Sequence, residues 1–238
     1  MDFGPSASDY ARFRQGFPDS FFERVALSGD VLDLGAGTGA LSRGYARRGA
    51  RVTALDLSPA MLREAADLQR RVAGRAEACP FRDRAFDAIT AGQCWHWFDR
   101  PAAAAECRRL LRPGGQLVLA SFNYQPHPGT VPQVSEALLL ERHPAWPWAG
   151  MFRMPGRYDH DLAAAGFAGL REVAYEVEVR YDRAGWLGRM RACNGVLALR
   201  DPAAIAEYEA ALARALRERF PERFGVLHEV FALVATAP

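Results

Sequence analysis

Hydrophobic and polar residues alternate most cleanly between Leu170 and Arg180, where Val173, Tyr175, Val177 and Val179 interleave with Glu172, Glu176, Glu178 and Arg180. A period of two with one charged face predicts a half-solvated strand. Shorter apolar runs at Asp30–Leu34, Arg51–Asp56, Phe86–Ala91 and Gln116–Phe122 predict further strands, each followed by a helical segment or a loop. The period then changes: Ala103, Cys107, Leu110 and Leu111 fall on one helical face. Ser58-Pro59 and Asp201-Pro202 pair a capping side chain with a proline at the first helical position, which predicts helix starts. Strand–helix alternation over residues 1–122 predicts an α/β fold with a doubly wound, mostly parallel sheet.

Past Phe122 the rhythm breaks. Residues 123–156 hold six prolines (126, 128, 132, 144, 147 and 155) together with Trp146 and Trp148, a composition expected of a lid or binding insertion. A helical segment near Arg157–Ala165 and the strand at 170–180 make 157–181 a return to the sheet. Residues 182–220 predict a second, helical insertion, with Ile205, Tyr208, Leu212 and Leu216 on one face. Residues 221–238, with the apolar run Val226–Ala235, predict a closing strand. One sheet with two insertions that meet as a cap is the expected architecture.

Composition narrows the chemistry. The chain has 238 residues and a net charge of +2, and all 30 of its basic residues are arginine. The absence of lysine excludes Schiff-base catalysis, pyridoxal-phosphate attachment and a P-loop. The arginines form no basic block, which argues against a nucleic-acid partner. Cys79, Cys94, Cys107 and Cys193 form no CxxC pair, so a reducing, cytoplasmic setting is expected and a structural zinc site is not. Met1–Ser8 lacks an apolar signal core and no run approaches the roughly 20 apolar residues of a membrane span, so no membrane association is expected. A homodimer is compatible with these features.

The segment Val31-Leu-Asp33-Leu-Gly35-Ala36-Gly37-Thr-Gly39 is the most informative. A strand ends in a glycine-rich turn that opens a helix, bringing backbone into contact distance of a ligand. Read alone it leaves two ligands open. Gly35-x-Gly37-x-x-Ala40 also satisfies a loose dinucleotide fingerprint, and Asp56 ends the second strand where it can hold a ribose in either case. Charge favours one of them. A dinucleotide puts an anionic pyrophosphate on this turn, whereas Asp33, two residues before the first glycine, suits an ammonium or sulfonium; S-adenosylmethionine carries both.

With these residues in place, the sequence resembles a class I S-adenosylmethionine-dependent methyltransferase of the methyltransferase type 11, trans-aconitate-methyltransferase-like branch. After Val31–Gly39 come Ala54-Leu-Asp56-Leu57-Ser58-Pro59-Ala-Met61-Leu62, Ala76-Glu77-Ala-Cys79-Pro80-Phe81, Phe86-Asp87, Gln93-Cys94-Trp95-His96-Trp97-Phe98 and Leu110-Leu111-Arg112-Pro113-Gly114-Gly115. Upstream, Tyr10-Ala-Arg-Phe13-Arg14-Gln-Gly16-Phe17-Pro18 resembles the branch's amino-terminal lid, so the likeness runs over about residues 10–122. It implies a Rossmann-like, seven-stranded sheet with helical and aromatic cap insertions, and S-adenosylmethionine as cofactor.

Residue by residue, the resemblance implies that Asp33 and the backbone of Gly35, Ala36, Gly37 and Gly39 face the methionine moiety. Asp56 accepts from both ribose hydroxyls, with Leu57 beside it, and Met61 packs near the adenine. Ala76 and Glu77 bracket the adenine rim, Gln93 flanks the sulfonium, and Tyr10 and Arg14 close over the methionine carboxylate. One position departs from the family: Arg75 stands where many members have an acid, which puts side-chain reading of the adenine amine in doubt. Backbone groups or Glu77 then have to serve.

For the acceptor, two readings stand side by side. His96 can serve as a general base for a phenol or protonated amine, or it can simply pack between Trp95 and Trp97; a carboxylate acceptor needs no base. Trp95, Tyr124, Trp146, Trp148, Phe152 and Trp186 can wall an apolar acceptor pocket or form the cap's own core. Arg153, Arg189 and Arg191 can clamp an anionic acceptor, and Tyr181 and Asn194 are further candidates. No metal is required, and the five histidines lack ligand spacing. Ala91-Gly92-Gln93-Cys94 lacks the Asn/Asp-Pro-Pro-aromatic box of nucleobase amine methyltransferases, which favours a small metabolite over DNA. The leading expectation is O- or N-methylation of a small molecule, with a carboxylate or secondary-metabolite acceptor favoured. The rivals are cyclisation of the cofactor's own aminobutyrate chain with release of methylthioadenosine, a non-catalytic binding module, and a nicotinamide dehydrogenase.

Overall fold

The computed structural model describes residues 11–147, 149–150 and 158–238. Its centre is a seven-stranded sheet of order β3-β2-β1-β4-β5-β7-β6, the strands being β1 Asp30–Leu34, β2 Arg51–Asp56, β3 Arg70–Ala73, β4 Phe86–Gly92, β5 Leu111–Tyr124, β6 Ala168–Asp182 and β7 Arg223–Thr236. Strands β1 to β5 run parallel, and β7 enters antiparallel between β5 and β6. β1 and β4 are buried almost throughout because helices cover both faces. On one face α1 (Asp19–Arg24) and α2 (Ala40–Ala46) deliver Phe21, Phe22, Leu41 and Tyr45 to a core with Val31, Val118 and Val230. On the other, α4 (Arg100–Leu110) supplies Ala103, Cys107 and Leu110, joined by Leu162 of α6 (Asp159–Ala164).

Helix starts follow the capping chemistry read from the chain. Ser58 accepts from Met61 N ahead of α3 (Pro59–Glu64), and Asp201 accepts from Ala203 N ahead of α9 (Pro202–Arg219), each with a proline in the first turn. The alternation in β6 also has its physical counterpart: Val173, Tyr175, Val177 and Val179 pack on the sheet core while the intervening residues stay exposed along the sheet's edge.

One local expectation is corrected. The strand expected at Gln116–Phe122 begins at Leu111, and Pro113-Gly114-Gly115 loops out within it. Between the pairs Phe86↔Leu111 and Ala88↔Gln116, five residue steps on β5 oppose two on β4, a bulge that Gly114 accommodates at φ 75°. The proline-rich segment after Phe122 holds a helix, α5 (Val131–Leu140), which tolerates Pro132 because its first turn needs no amide hydrogen. α5 packs against α7 (Arg183–Arg191), α8 (Asn194–Leu197) and α9 in one apolar cluster around Leu139, Trp186, Tyr208 and Leu212. The two insertions therefore share a core above the carboxyl ends of β4 and β5. Among the described residues no helix is long and apolar enough to cross a membrane.

Candidate active-site cleft

The strand order reverses between β1 and β4, and in a doubly wound sheet the crevice outside the carboxyl strand ends opens at that point. A cleft of about 940 Å³ lies there, running from the β1–α2 turn and the end of β2 to the cap. Its first wall is backbone. Gly35 and Gly37 line it with φ of 59° and 56°, a left-handed conformation that side chains resist. A Cβ on Gly35 would also stand 2.8 Å from the Cys94 sulfur. Ala36 and Gly39 hold the turn's shape without lining the cleft: Ala36 N donates to Leu55 O at 3.0 Å, and Gly39 N to Ala36 O at 2.8 Å.

Opposite this turn stands Asp56, half-buried at the end of β2. Gly37 N donates to its Oδ2 and Ser58 N to its Oδ1, both at 2.8 Å. A carboxylate has about four lone-pair sites, so a fixed, hydrogen-bonded Asp56 keeps acceptor capacity for a pair of vicinal hydroxyls in the cleft. Leu57, 71% exposed, and Met61 continue this wall.

Asp33 is a correction. It was expected against the ligand's methionine end, yet it is buried beneath the turn and does not line the cleft. The β1–β4 register sets Thr90 beside it, and Thr90 Oγ1 donates to Oδ1 at 2.7 Å while Ser42 Oγ and N donate to Oδ2 at 2.6 and 3.1 Å. Three donors from two elements use its oxygens to fasten α2 to the sheet. Burial outweighs these donors and pushes the Asp33 carboxyl up to about 6.

Ala76 and Glu77 lie on the cleft. Glu77, however, is engaged on both oxygens, with Arg75 Nε at 3.4 Å and Asp99 N donating at 3.1 Å. Arg75 thus takes up the neighbouring carboxylate. Gln93 follows β4 at φ 58°; its N donates to Ala120 O at 2.8 Å and its side-chain amide donates to Phe122 O. Its Oε1 is buried and lacks a hydrogen-bond partner among the described residues. Arg14 lines the cleft; Tyr10 lies outside the described residues.

On the acceptor side, Trp95, His96 and Tyr124 line the cleft. His96 belongs to a short 3₁₀ turn, Trp95–Trp97, and its ring lies 4.5 Å from that of Trp97. Trp186 and Arg191 do not line it. Trp186 is fully buried in the cap, its Nε1 donating to Ser135 Oγ at 2.9 Å, and Arg191 lies over Phe13 and approaches Glu209 at 3.7 Å. Trp148 and Arg153 lie outside the described residues. Two buried charges occupy the cap end instead: Arg189, weighed beside Arg153 and Arg191, and Glu136, which the sequence reading missed. Glu136 accepts from Gly150 N at 2.7 Å, and burial raises its carboxyl above the usual range. Its signal was present: it is the single charge in Val131–Leu140, an otherwise apolar stretch. Among the described residues no group of three His, Cys, Asp or Glu is placed to hold a metal ion.

These residues fit S-adenosylmethionine. Bare backbone at Gly35 and Gly37 allows close approach, and a pre-oriented Asp56 and the Gln93 Oε1, which has no hydrogen-bond partner among the described residues, offer acceptors.

Comparison with known proteins agrees in region and fold. Residues 32–119 match the model of a methyltransferase domain. An uncharacterized methyltransferase-like protein of Schizosaccharomyces pombe is 32% identical over 197 residues, covering 73% of this chain and 70% of that protein. An uncharacterized methyltransferase of Mycobacterium tuberculosis is 36% identical over 143 residues, an alignment spanning 58% of this chain and 59% of the mycobacterial protein. A solved structure from Anaeromyxobacter dehalogenans, named as a candidate type II methyltransferase, superposes with a TM-score of 0.67 at 26% identity, covering 94% of this chain and 97% of that one.

Proposed function

Because the chain belongs to the class I S-adenosylmethionine-dependent methyltransferases, we propose that it transfers a methyl group from that cofactor to an oxygen or nitrogen of a small molecule held under the cap. The observation that carries this reading is the continuity of the cleft. One cavity of about 940 Å³ joins the glycine turn and Asp56 to the cap residues Tyr124, Glu136 and Arg189. That volume is near the upper end of the roughly 300–1,000 Å³ range of ligand pockets, which supports two ligands side by side rather than one curled cofactor. Branch resemblance tilts the acceptor toward a carboxylate or a secondary metabolite.

When bound, S-adenosylmethionine supplies a methyl carbon already activated by its sulfonium. The chain's own work is then alignment, exclusion of water and proton removal. Asp56 holds the ribose hydroxyls, its geometry fixed by Gly37 N and Ser58 N. The Gly35 and Gly37 backbone and Arg14 hold the methionine end, Met61 and Leu57 cover the adenine, and Ala76 contributes backbone at its rim. Gln93, pinned through Phe122 and Ala120, stands at the junction of the two halves. Trp95 and Tyr124 form apolar walls that keep water from the reacting atoms, and His96 takes the proton of an acceptor that must lose one.

Calorimetric titration of the full chain tests the cofactor half of this reading. S-adenosylhomocysteine should bind with a micromolar constant and a nicotinamide dinucleotide should not. Dinucleotide binding without S-adenosylhomocysteine binding would reverse the assignment.

A further inference from the structure

Arg189 is an anomaly of charge. It lies in α7 with 5% of its surface exposed, and among the described residues it forms no ion pair. Its guanidinium carbon lies 5.2 Å from the Tyr124 ring centroid and the group is beside the Tyr181 hydroxyl. Nη1 is buried and has no hydrogen-bond partner among the described residues. A buried, always-ionised guanidinium with unused donors is costly unless an anion completes it. Here the missing partner has a place to sit, because Arg189 lines the cleft.

The position separates this group from the adenine end of the cleft. Tyr124, Trp146 and Cys193, which line the cleft beside Arg189, belong to the core shared by the two insertions, whereas Ala76 and Trp95 belong to the core beneath the sheet's other face. Resting on the methyl-transfer reading above, we infer that Arg189 is the specificity residue for the acceptor, anchoring a carboxylate in the cap end of the cleft. Guanidinium presents parallel N–H donors in a fork that a planar carboxylate matches with two hydrogen bonds. A monoanion balances the single positive charge of the guanidinium. A phosphate dianion fits less well, because Glu136 and Glu229 also line this cavity. His228, buried between the Tyr181 hydroxyl and Val226 O, is held down to about 4 first by burial, with the charges of Arg189 and Arg14 adding to it. On the anchor's side of the cleft, Tyr124 and Trp146 supply aromatic walls. The acceptor class is therefore a carboxylic acid with an apolar or aromatic body.

The test uses the full chain loaded with S-adenosylhomocysteine and three probe acids, phenylacetate, indole-3-acetate and octanoate, each beside its methyl ester, with phenyl phosphate as a further anion. Saturation-transfer NMR and titration read binding. The expected result is that acids bind at least tenfold more tightly than their esters. Arg189→Met should erase that preference, Arg189→Lys should keep part of it, and S-adenosylhomocysteine affinity should be the same in all three proteins. Equal binding of acids and esters, or no acid binding at all, would overturn the assignment. So would a preference that survives Arg189→Met, or phenyl phosphate outcompeting phenylacetate. A tenfold loss of S-adenosylhomocysteine affinity in a folded Arg189→Met protein would place Arg189 on the cofactor's own carboxylate and overturn it too. If Arg189→Met does not fold, the ester comparison on wild type and the Arg189→Lys protein decides. Failure of the wild type to bind S-adenosylhomocysteine would remove the methyl-transfer reading instead, and the acid–ester comparison would then be made on the unloaded chain.

Discussion

The backbone N–H of Gly37 donates to Oδ2 of Asp56 at 2.8 Å, joining the glycine turn after β1 to the acid at the end of β2. The bond aims a carboxylate across the turn and fixes the turn against it, so the two are held in register. Such pre-orientation reduces the ordering cost of binding.

Replacing Asp56 by Ala should therefore act twice. The cofactor loses its hydroxyl acceptor, and Gly37 N and Ser58 N lose theirs. S-adenosylhomocysteine affinity should fall at least 100-fold by calorimetry, with a stability loss of about 1–3 kcal/mol, the usual worth of hydrogen bonds to a charged group. Unchanged affinity in a folded variant would contradict the assignment.

The turn itself can be probed by two alanines. At Gly35 a Cβ meets both the left-handed φ of 59° and Cys94 Sγ at 2.8 Å; at Gly49 the φ is 89° but nothing stands within 4 Å. The first should cost roughly 2–4 kcal/mol and the second about 1, from backbone strain plus overpacking in one case and strain alone in the other. Thermal unfolding of both proteins checks the ratio; equal losses would show that contact with Cys94 is irrelevant.

Asp33 predicts a pH effect with a defined sign. Its folded carboxyl, raised to about 6 by burial, holds a proton more tightly than the unfolded chain. The stability this contributes is present below about pH 4 and is lost as pH rises through about 6. The full swing is ~3 kcal/mol at 1.36 kcal/mol per unit. Asp33→Asn should accordingly gain stability relative to wild type between pH 4.5 and pH 7.5 in parallel denaturant titrations. A relative loss over that interval would mean that the Ser42 and Thr90 donors outweigh burial.

His96 should separate binding from turnover. His96→Gln should bind S-adenosylhomocysteine as wild type does, while turnover of an acceptor that must lose a proton falls by roughly 10²–10⁴, the usual worth of a positioned base. Full activity in that variant would leave His96 with a packing role against Trp97.

What was legible in the chain was local. Gly35 and Gly37 could be read because a tight turn needs glycine within a few positions, and Asp56 because it ends the next predicted strand. Helix starts at Ser58 and Asp201 were legible for the same reason. The burial of Asp33 was not: its partner Thr90 comes from β4 through a register that only the folded sheet defines. Trp186 and Tyr124 are equally aromatic in sequence, yet one fills the cap core and the other faces the cleft, a difference set by how α5 and α7 pack. Arg189 was legible only as one of three arginines able to clamp an anion, and its burial and place on the cleft single it out from Arg191.

The central claim, methyl transfer from S-adenosylmethionine in this cleft, is tested most directly with cofactor deuterated in its methyl group, the full chain and a pool of candidate metabolites. Mass spectrometry follows the nucleoside product and the acceptor together. The account predicts S-adenosylhomocysteine and one small molecule carrying the label. Enzyme-dependent methylthioadenosine with no labelled acceptor would contradict it and make the cofactor the substrate.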